Sequence, residues 1–211
     1  MNSYELISLL LRYPDAQSLA NTDALAQSCC DLTNPTQRKL IEQFLADRRL
    51  KSLIQLQREH VATFDFSKRA TPYLSFHAYG DRRERGVAML ALKRRYAAAG
   101  FTLIEGELPD YLPILLEFCA YAPPKFGKVL LDEFRVAVEL VRAALHQERS
   151  PYSLLLDALC VGLPDATATQ RQQVKDRAAT GPPTELVGLE PFTTKVGPAS
   201  ENSPIGAGSE L

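Results

Sequence analysis

The stretch GELPDYLPILLEFCAY, from Gly106 to Tyr121, places an apolar helical pattern directly behind two prolines that bracket an acid and a tyrosine. One apolar face follows the i, i+3, i+4, i+7 spacing of a helix and consists of Leu112, Leu115, Leu116 and Cys119. A second apolar face consists of Ile114, Phe118 and Tyr121. Because a helix that is apolar on both sides is buried between neighbours, we expect this segment to be the central helix of a helical bundle.

The start of this helix has two interpretations. Pro113 is compatible with the first turn, where the backbone N–H groups have no helical partner, and Asp110 is suited to cap those groups. Alternatively, Glu107, Asp110 and Tyr111, together with Glu105, form an acidic and aromatic rim at the end of a buried helix. Such a rim would suit a bound segment that is apolar and carries basic residues.

The same helical period extends through the rest of the chain. One stripe consists of Leu130, Phe134, Val138, Val141 and Leu145, and another, after Pro151, of Tyr152, Leu155, Leu156 and Leu159. Prolines and glycines separate these segments, and alternating strand patterns are nearly absent. We therefore expect an all-α fold, a single-domain helical bundle of about eight to ten helices over residues 1–180.

The composition changes at about Gly181. Residues 181–211 hold five of the fourteen prolines and five of the eleven glycines in the chain. A segment so rich in both does not sustain a helix, so we expect an irregular tail that is extended at first and then disordered.

Charge and composition exclude several classes of function. The net charge is −1, which gives no overall attraction to nucleic acid or to an anionic membrane. No run of eighteen apolar residues exists, so no direct membrane insertion is expected. The apolar N-terminus MNSYELISLLLRYP lacks a basic region, and we expect it to be the first helix of a cytoplasmic protein. The four cysteines form no CxxC pair, and we expect them to be buried, reduced thiols.

A second stretch, FDFSKRATPYLSFHAYGDRRERG from Phe64 to Gly86, carries a dense group of aromatic residues. Phe66, Tyr73 and His77 either belong to the core or line a groove for a partner helix. In DRRERG, Asp81 and Glu84 have the spacing of a capping box, and Asp81–Arg85 has that of a helical ion pair.

A nucleic-acid-binding surface is the less favoured interpretation of the basic residues in this region, which are Arg82, Arg83, Arg85, Lys93, Arg94 and Arg95. The chain contains no sequence motif of the known RNA-binding or DNA-binding modules.

No catalytic motif is present. The sequence contains no HExxH, GxSxG or phosphate-binding loop, and its three histidines lie far apart. We expect no enzymatic activity, no metal site and no cofactor of its own.

Together, FDFSKRATPYLSFHAYGDRRERG and ELPDYLPILLEF resemble the nitrate reductase assembly chaperones of the NarJ type, within the wider respiratory molybdoenzyme chaperones. The resemblance implies a helical chaperone that binds the apo catalytic (alpha) subunit of membrane-bound nitrate reductase by its N-terminal segment. It also implies that the subunit is held for insertion of iron–sulfur and molybdenum cofactors before membrane attachment. A chaperone of the same fold for a different molybdoenzyme remains an alternative.

The resemblance further implies where the client peptide binds. The candidate residues are Phe66, Tyr73, His77, Glu107, Pro109, Asp110, Tyr111 and Pro113. Relatives in the wider family often have a histidine directly after the Pro-Asp pair, and Tyr111 occupies that position here. Any role that needs an imidazole at this position is therefore not expected.

Overall fold

The computed structural model describes residues 1–181 and folds them into twelve helices. They are α1 (Ser3–Leu11), α2 (Ala16–Ala20), α3 (Thr22–Cys30), α4 (Pro35–Arg49), α5 (Leu53–Phe64), α6 (Phe76–Tyr79), α7 (Arg83–Ala98), α8 (Leu112–Tyr121), α9 (Pro124–Glu133), α10 (Arg135–Gln147), α11 (Ser153–Val161) and α12 (Ala168–Thr180). The all-α prediction is confirmed, although the number of helices exceeds eight to ten. Two of them, α2 and α6, have only five and four residues, too few to produce a periodic apolar pattern.

The last described residue is also the point where the composition changes. α12 ends at Thr180, and Gly181 follows with a φ of 77°, a conformation that favours glycine. The predicted tail beyond Gly181 lies outside the described residues. The division into a helical domain and a tail therefore stays a prediction.

α8 packs against α1 and α9 but is not buried on both sides, so the expectation of a fully buried central helix is wrong. The first predicted face of α8 is buried: Leu112, Leu115, Leu116 and Cys119. The two helices run antiparallel, because Asn2 at the start of α1 donates to the carbonyl of Ala120 while Ser8 donates to that of Pro113. The N-terminal segment is therefore the first helix of the fold, as predicted.

A second part of the core forms around α4, α5 and α11. The ring of Tyr152 lies 5.3 Å from that of Phe44 and 4.9 Å from that of Phe64. Gln37, in the first turn of α4, donates a buried hydrogen bond to the carbonyl of Ala158 on α11. α12, in contrast, packs on α10 without burying any residue of its own.

The predicted stripe from Leu130 to Leu145 spans two helices rather than one. Phe134 ends α9 and precedes α10, with a φ of −90° and a ψ of 5°. This nonhelical ψ turns the chain, yet Leu130, Val138, Val141 and Leu145 remain buried in one core. The apolar spacing continues across the junction, so periodicity alone could not locate it.

The cysteines are unpaired, as expected, but one of them is not buried. Cys29 and Cys119 are buried and Cys160 is half-buried, whereas Cys30 is exposed at the last turn of α3. The expectation of four buried thiols is therefore wrong for Cys30. Within residues 1–181, no helix is long and apolar enough to span a membrane.

Candidate functional site

The structure brings the two motif-bearing stretches into direct contact. Tyr73 and Tyr111 form an isolated antiparallel bridge, and their ring centroids lie 5.3 Å apart. Leu74 donates its backbone N–H to the carbonyl of Asp110 at 2.9 Å, and Leu112 donates to that of Pro72 at 2.8 Å. Residues nearly forty positions apart thus form one local structure at the start of α8.

Asp110 is neither a helix cap nor part of an exposed rim, so both sequence interpretations of its position are corrected. Its side chain is fully buried, and the N-cap position of α8 is Tyr111, which makes no side-chain cap. The carboxylate oxygen Oδ2 accepts hydrogen bonds from Ser75 at 2.5 Å and from Arg85 at 3.2 Å. The other oxygen, Oδ1, has no hydrogen-bond partner among the described residues. Asp110 is therefore the acid of an internal ion pair.

Arg85 supplies the basic partner, which corrects the predicted Asp81–Arg85 pair. The N-cap position of α7 is Arg82, without a side-chain cap, so the predicted capping box is also absent. The Arg85 guanidinium lies 5.8 Å from the ring centroid of Tyr73 and 5.7 Å from that of Phe76. Because its side chain is only 19% exposed and its guanidinium is paired with Asp110, Arg85 contributes little to a basic surface.

The other predicted aromatic residues have different environments. His77 is buried, and its Nε2 lies 2.9 Å from the carbonyl of Thr71, which assigns the proton to this nitrogen. Burial lowers the pKa of His77, and the nearby Arg177 lowers it further. Phe66, in contrast, is 84% exposed, while Tyr73 and Tyr111 are half-buried. Burial raises the pKa of Tyr111 to about 12.

An apolar groove lies beside these residues, between α8 and the loop that precedes it. Its volume is about 220 Å³, and its lining residues are Arg12, Tyr96, Phe101, Thr102, Leu103, Ile104, Glu107, Ile114, Glu117, Phe118 and Tyr121. The second predicted face of α8 therefore forms the floor of this groove. Ile104 is 80% exposed and Tyr121 is 58% exposed, so apolar area remains open to water here.

Only part of the groove was predicted from the sequence. Glu107 is the residue of the predicted site that lines it, whereas Pro109 and Pro113 are buried and are not lining residues. Sequence reasoning missed Tyr96 and the apolar loop from Phe101 to Leu108. The available signal was the group of apolar residues in that short connection, since connecting segments are usually polar.

The chemistry of the groove suits binding rather than catalysis. Apolar side chains form its floor, and the carboxylates of Glu107 and Glu117 lie on its edge. Arg12 forms an ion pair with Glu117, which leaves Glu107 as a carboxylate without an ion-pair partner among residues 1–181. Histidine, cysteine and acidic side chains in the described part of the chain form no cluster that could hold a metal ion.

Comparison with known proteins connects this architecture to a family. A family model described as "Nitrate reductase delta subunit" matches residues 29–156, a span that includes both motif-bearing stretches. The chain belongs to the nitrate reductase delta subunit family. This assignment confirms the resemblance to the NarJ-type assembly chaperones.

Two named relatives in the nitrate reductase delta subunit family are assembly chaperones. The chain is 33% identical over 164 residues to "Probable nitrate reductase molybdenum cofactor assembly chaperone NarJ" of Bacillus subtilis (strain 168), which covers 76% of this chain and 88% of that protein. It is 30% identical over 156 residues to "Nitrate reductase molybdenum cofactor assembly chaperone NarJ" of Escherichia coli (strain K12), which covers 73% and 66%. In keeping with these family members, this chain is a chaperone and not an enzyme.

The family domain also occurs within a larger protein. The chain is 32% identical over 157 residues to "Nitrate reductase-like protein NarX" of Mycobacterium tuberculosis (strain ATCC 25618 / H37Rv), and spans only 24% of its length. Among solved structures, a putative redox enzyme maturation protein from Archaeoglobus fulgidus matches with a TM-score of 0.55 and 25% sequence identity, over 74% of this chain and 88% of that one. This structural match supports the helical fold of the delta subunit family.

Proposed function

We propose that this protein binds the apo catalytic (alpha) subunit of membrane-bound respiratory nitrate reductase through the subunit's N-terminal segment. The bound subunit is held open for insertion of its molybdenum and iron–sulfur cofactors, and it attaches to the membrane after release. The cofactors belong to the client, and the chaperone contributes only a binding surface. The names of the relatives supply the client class, and the groove between α8 and the preceding loop supplies the binding surface.

The observation that carries this proposal is the open apolar floor with an acid at its edge. Ile104, Ile114 and Tyr121 present the kind of surface on which the apolar face of an amphipathic helix packs. Glu107 favours a basic residue on the same helix. Burial of about three apolar client side chains, at ~1.5–3 kcal/mol each less the cost of association, gives moderate and reversible affinity. A chaperone that leaves its client requires such reversibility.

The predicted binding residues divide into two groups under this proposal. Glu107, Phe66 and the half-buried pair Tyr73 and Tyr111 are accessible to a client. The buried residues, among them His77 and Asp110, would act by shaping the surface instead of contacting the peptide. The proposed client surface thus extends from the groove to the two tyrosine rings.

Affinity capture from cells respiring nitrate tests the identity of the client. We expect the reductase catalytic subunit to co-purify with the chaperone, and to lack its molybdenum cofactor. Co-purification of a different molybdoenzyme subunit instead would support the alternative client class.

Deletion of the chaperone tests the step at which it acts. We expect the reductase subunits to be synthesised but to lack molybdenum, because the chaperone acts before insertion. A deletion strain that contains normal amounts of fully metallated, active reductase would refute the proposal.

Nucleic acid binding is disfavoured by two contacts. Arg85 is paired internally with Asp110, and Arg95 forms an ion pair with Glu133. Both were members of the basic set considered above. Titration with a nucleic acid duplex at two salt concentrations tests the remaining basic residues, since phosphate-driven binding weakens steeply with salt.

A further inference from the structure

Two long side chains of α7 form hydrogen bonds to the segment that precedes α8. Arg85 donates from Nη2 to the carboxylate of Asp110 at 3.2 Å, and the Tyr96 hydroxyl donates to the carbonyl of Pro109 at 2.7 Å. The two donors are eleven residues apart on the helix, or about 16 Å along its axis, yet they converge on neighbouring residues. The segment they hold leads directly into α8.

The held segment forms one side of the groove. It extends from Ile104 to Asp110 and turns at Gly106, whose φ of 91° favours glycine. Ile104 and Glu107 line the groove from this segment, opposite the floor residues on α8. We define this segment as the groove wall. Its position relative to α8 sets the width of the groove.

Arg85 is partly buried and lies outside the groove, beside a separate cavity that it lines with Tyr73 and Phe76, so it does not meet a ligand in the groove. Its other hydrogen bond runs from Nε to the hydroxyl of Ser75 at 3.2 Å. Ser75 in turn donates to the same Asp110 oxygen. Two donors from two different segments thus meet at a single carboxylate oxygen of a third segment.

The second carboxylate oxygen of Asp110 is buried and has no hydrogen-bond partner among residues 1–181, so Oδ2 carries the described hydrogen bonds of this side chain. Buried ion pairs contribute little net stability compared with apolar packing, but they restrict the orientation of the segments that carry them. The geometry is consistent with an ion pair that fixes the position of the groove wall.

We propose that Arg85 is a positioning residue that acts through Asp110 to fix the groove wall, and thereby sets the affinity for an amphipathic helical peptide. Tyr96 provides the second point of attachment. This inference rests on the proposed function, because it concerns the same groove. It assigns to α7 a role in shaping the groove, in addition to the one groove-lining residue, Tyr96, that it supplies.

The test compares two arginines that are both in largely buried ion pairs. Arg85→Gln removes the pair with Asp110, whereas Arg135→Gln removes a pair with Glu139 on α10, and Arg135 is not a lining residue of the groove. Both variants are made in the full chain. Melting temperatures are measured first, and peptide titrations are then run at a temperature below the lower of the two melting temperatures.

The probe is a synthetic peptide of the N-terminal segment of the reductase catalytic subunit. We expect Arg85→Gln to weaken binding about tenfold, because the wall loses its attachment to α7 and spends less time in the position that binds the peptide. The loss should be equal at low and high salt, because no charge on the peptide is involved. Arg135→Gln should bind like the wild type. Adding Asp110→Asn to Arg85→Gln should not restore affinity, because the pair that attaches the wall to α7 is still absent.

Several outcomes would overturn the inference. One is unchanged affinity of Arg85→Gln, and a second is a loss that disappears at high salt, which would indicate direct contact with the peptide. A third is an equal loss in Arg135→Gln, which would show that general stability is responsible. If the wild type itself does not bind the peptide, the proposed function fails.

The position of the wall can also be measured without any peptide. We expect the backbone amide resonances of Ile104 and Glu107 to shift in Arg85→Gln and to remain unchanged in Arg135→Gln. If Arg85→Gln does not fold, Tyr96→Phe replaces it, because that change keeps the ring and removes only the hydroxyl bond to Pro109. Unchanged amide resonances would refute the positioning role.

Discussion

The two faces of α8 are both apolar in sequence, but one is buried in the structure and the other is partly open to water. The face with Leu115 and Leu116 is fully buried, largely against α1. The face with Ile114 and Tyr121 remains open, and Tyr121 is more than half exposed. The first face stabilises the fold, and the second is available to a partner. An apolar residue therefore has no fixed role until its neighbours are known.

The difference arises from what covers each face. On the closed side, Ser8 and Asn2 fix α1 along the length of α8 by hydrogen bonds to its backbone. On the open side, Phe118 is covered by the rings of Tyr96 and Phe101, at 4.6 and 5.3 Å, but the cover ends there. At the end of the helix the Tyr121 hydroxyl donates to Glu5 of α1, but its ring remains more than half exposed. The groove lies over the part of this face that remains uncovered.

The largest expected effect is on the closed face. Leu116→Ala should lower the free energy of unfolding by about 2–5 kcal/mol, because the surrounding core does not collapse onto the cavity. Denaturant titration measures the loss. The matched change on the open face, Ile114→Ala, should cost less than about 1 kcal/mol because Ile114 is only half-buried. Equal losses would show that the two faces do not differ in this way.

Acidification should decrease the stability of the fold through two buried histidines. Burial is the main factor that lowers the pKa values of His60 and His77 below the ordinary 6.5. The unfolded chain therefore takes up protons first as the pH falls, and stability decreases from about pH 6.5 down to the lowered pKa values. Each histidine contributes a slope of up to about 1.4 kcal/mol per pH unit in that window.

Urea titrations between pH 5 and pH 8 check this slope. We expect the midpoint to be lower at pH 5 than at pH 7, and to depend less on pH in His60→Gln. A midpoint that rises on acidification would contradict the assignment of these histidines as buried and neutral.

On the open face, a polar change should affect binding without affecting the fold. Ile104→Asp should weaken the reductase N-terminal peptide by about tenfold or more, because it places a charge where an apolar client side chain packs. Its melting temperature should stay close to that of the wild type, since Ile104 is exposed. Val129→Asp, at an exposed apolar residue outside the groove, is the control. Isothermal titration distinguishes them, and equal affinities would place the client elsewhere.

The smallest expected effect concerns the acid at the edge of the groove. Glu107→Gln should weaken the peptide by roughly 1 kcal/mol, or about fivefold, as expected for an exposed charge pair. The loss should diminish as salt screens the pair. Glu105→Gln changes a neighbouring exposed acid that does not line the groove, and should have no effect. A loss that is equal at all salt concentrations would exclude a charge pair with the client.

Much of the fold was predictable because it depends on local spacing. The apolar period of α8, the first helix and the helix after Pro151 are all correct, since the 3.6-residue repeat determines which side chains share a face. The contact between the two motif-bearing stretches was not predictable from spacing. It depends on backbone hydrogen bonds between Leu74 and Asp110, which are thirty-six positions apart.

Asp110 shows the boundary between the two kinds of information most clearly. By itself, the sequence determined the helical class, the buried face of α8 and the placement of an acid just before that helix. An aspartate just before a helix is predicted to be an N-cap, because the prediction considers only the neighbouring backbone N–H groups. The tertiary structure alone brought Ser75 and Arg85 to the carboxylate, buried it, and left the second face of α8 open. Whether a side chain is covered depends on which distant segments reach it, and those contacts form only when the whole chain packs.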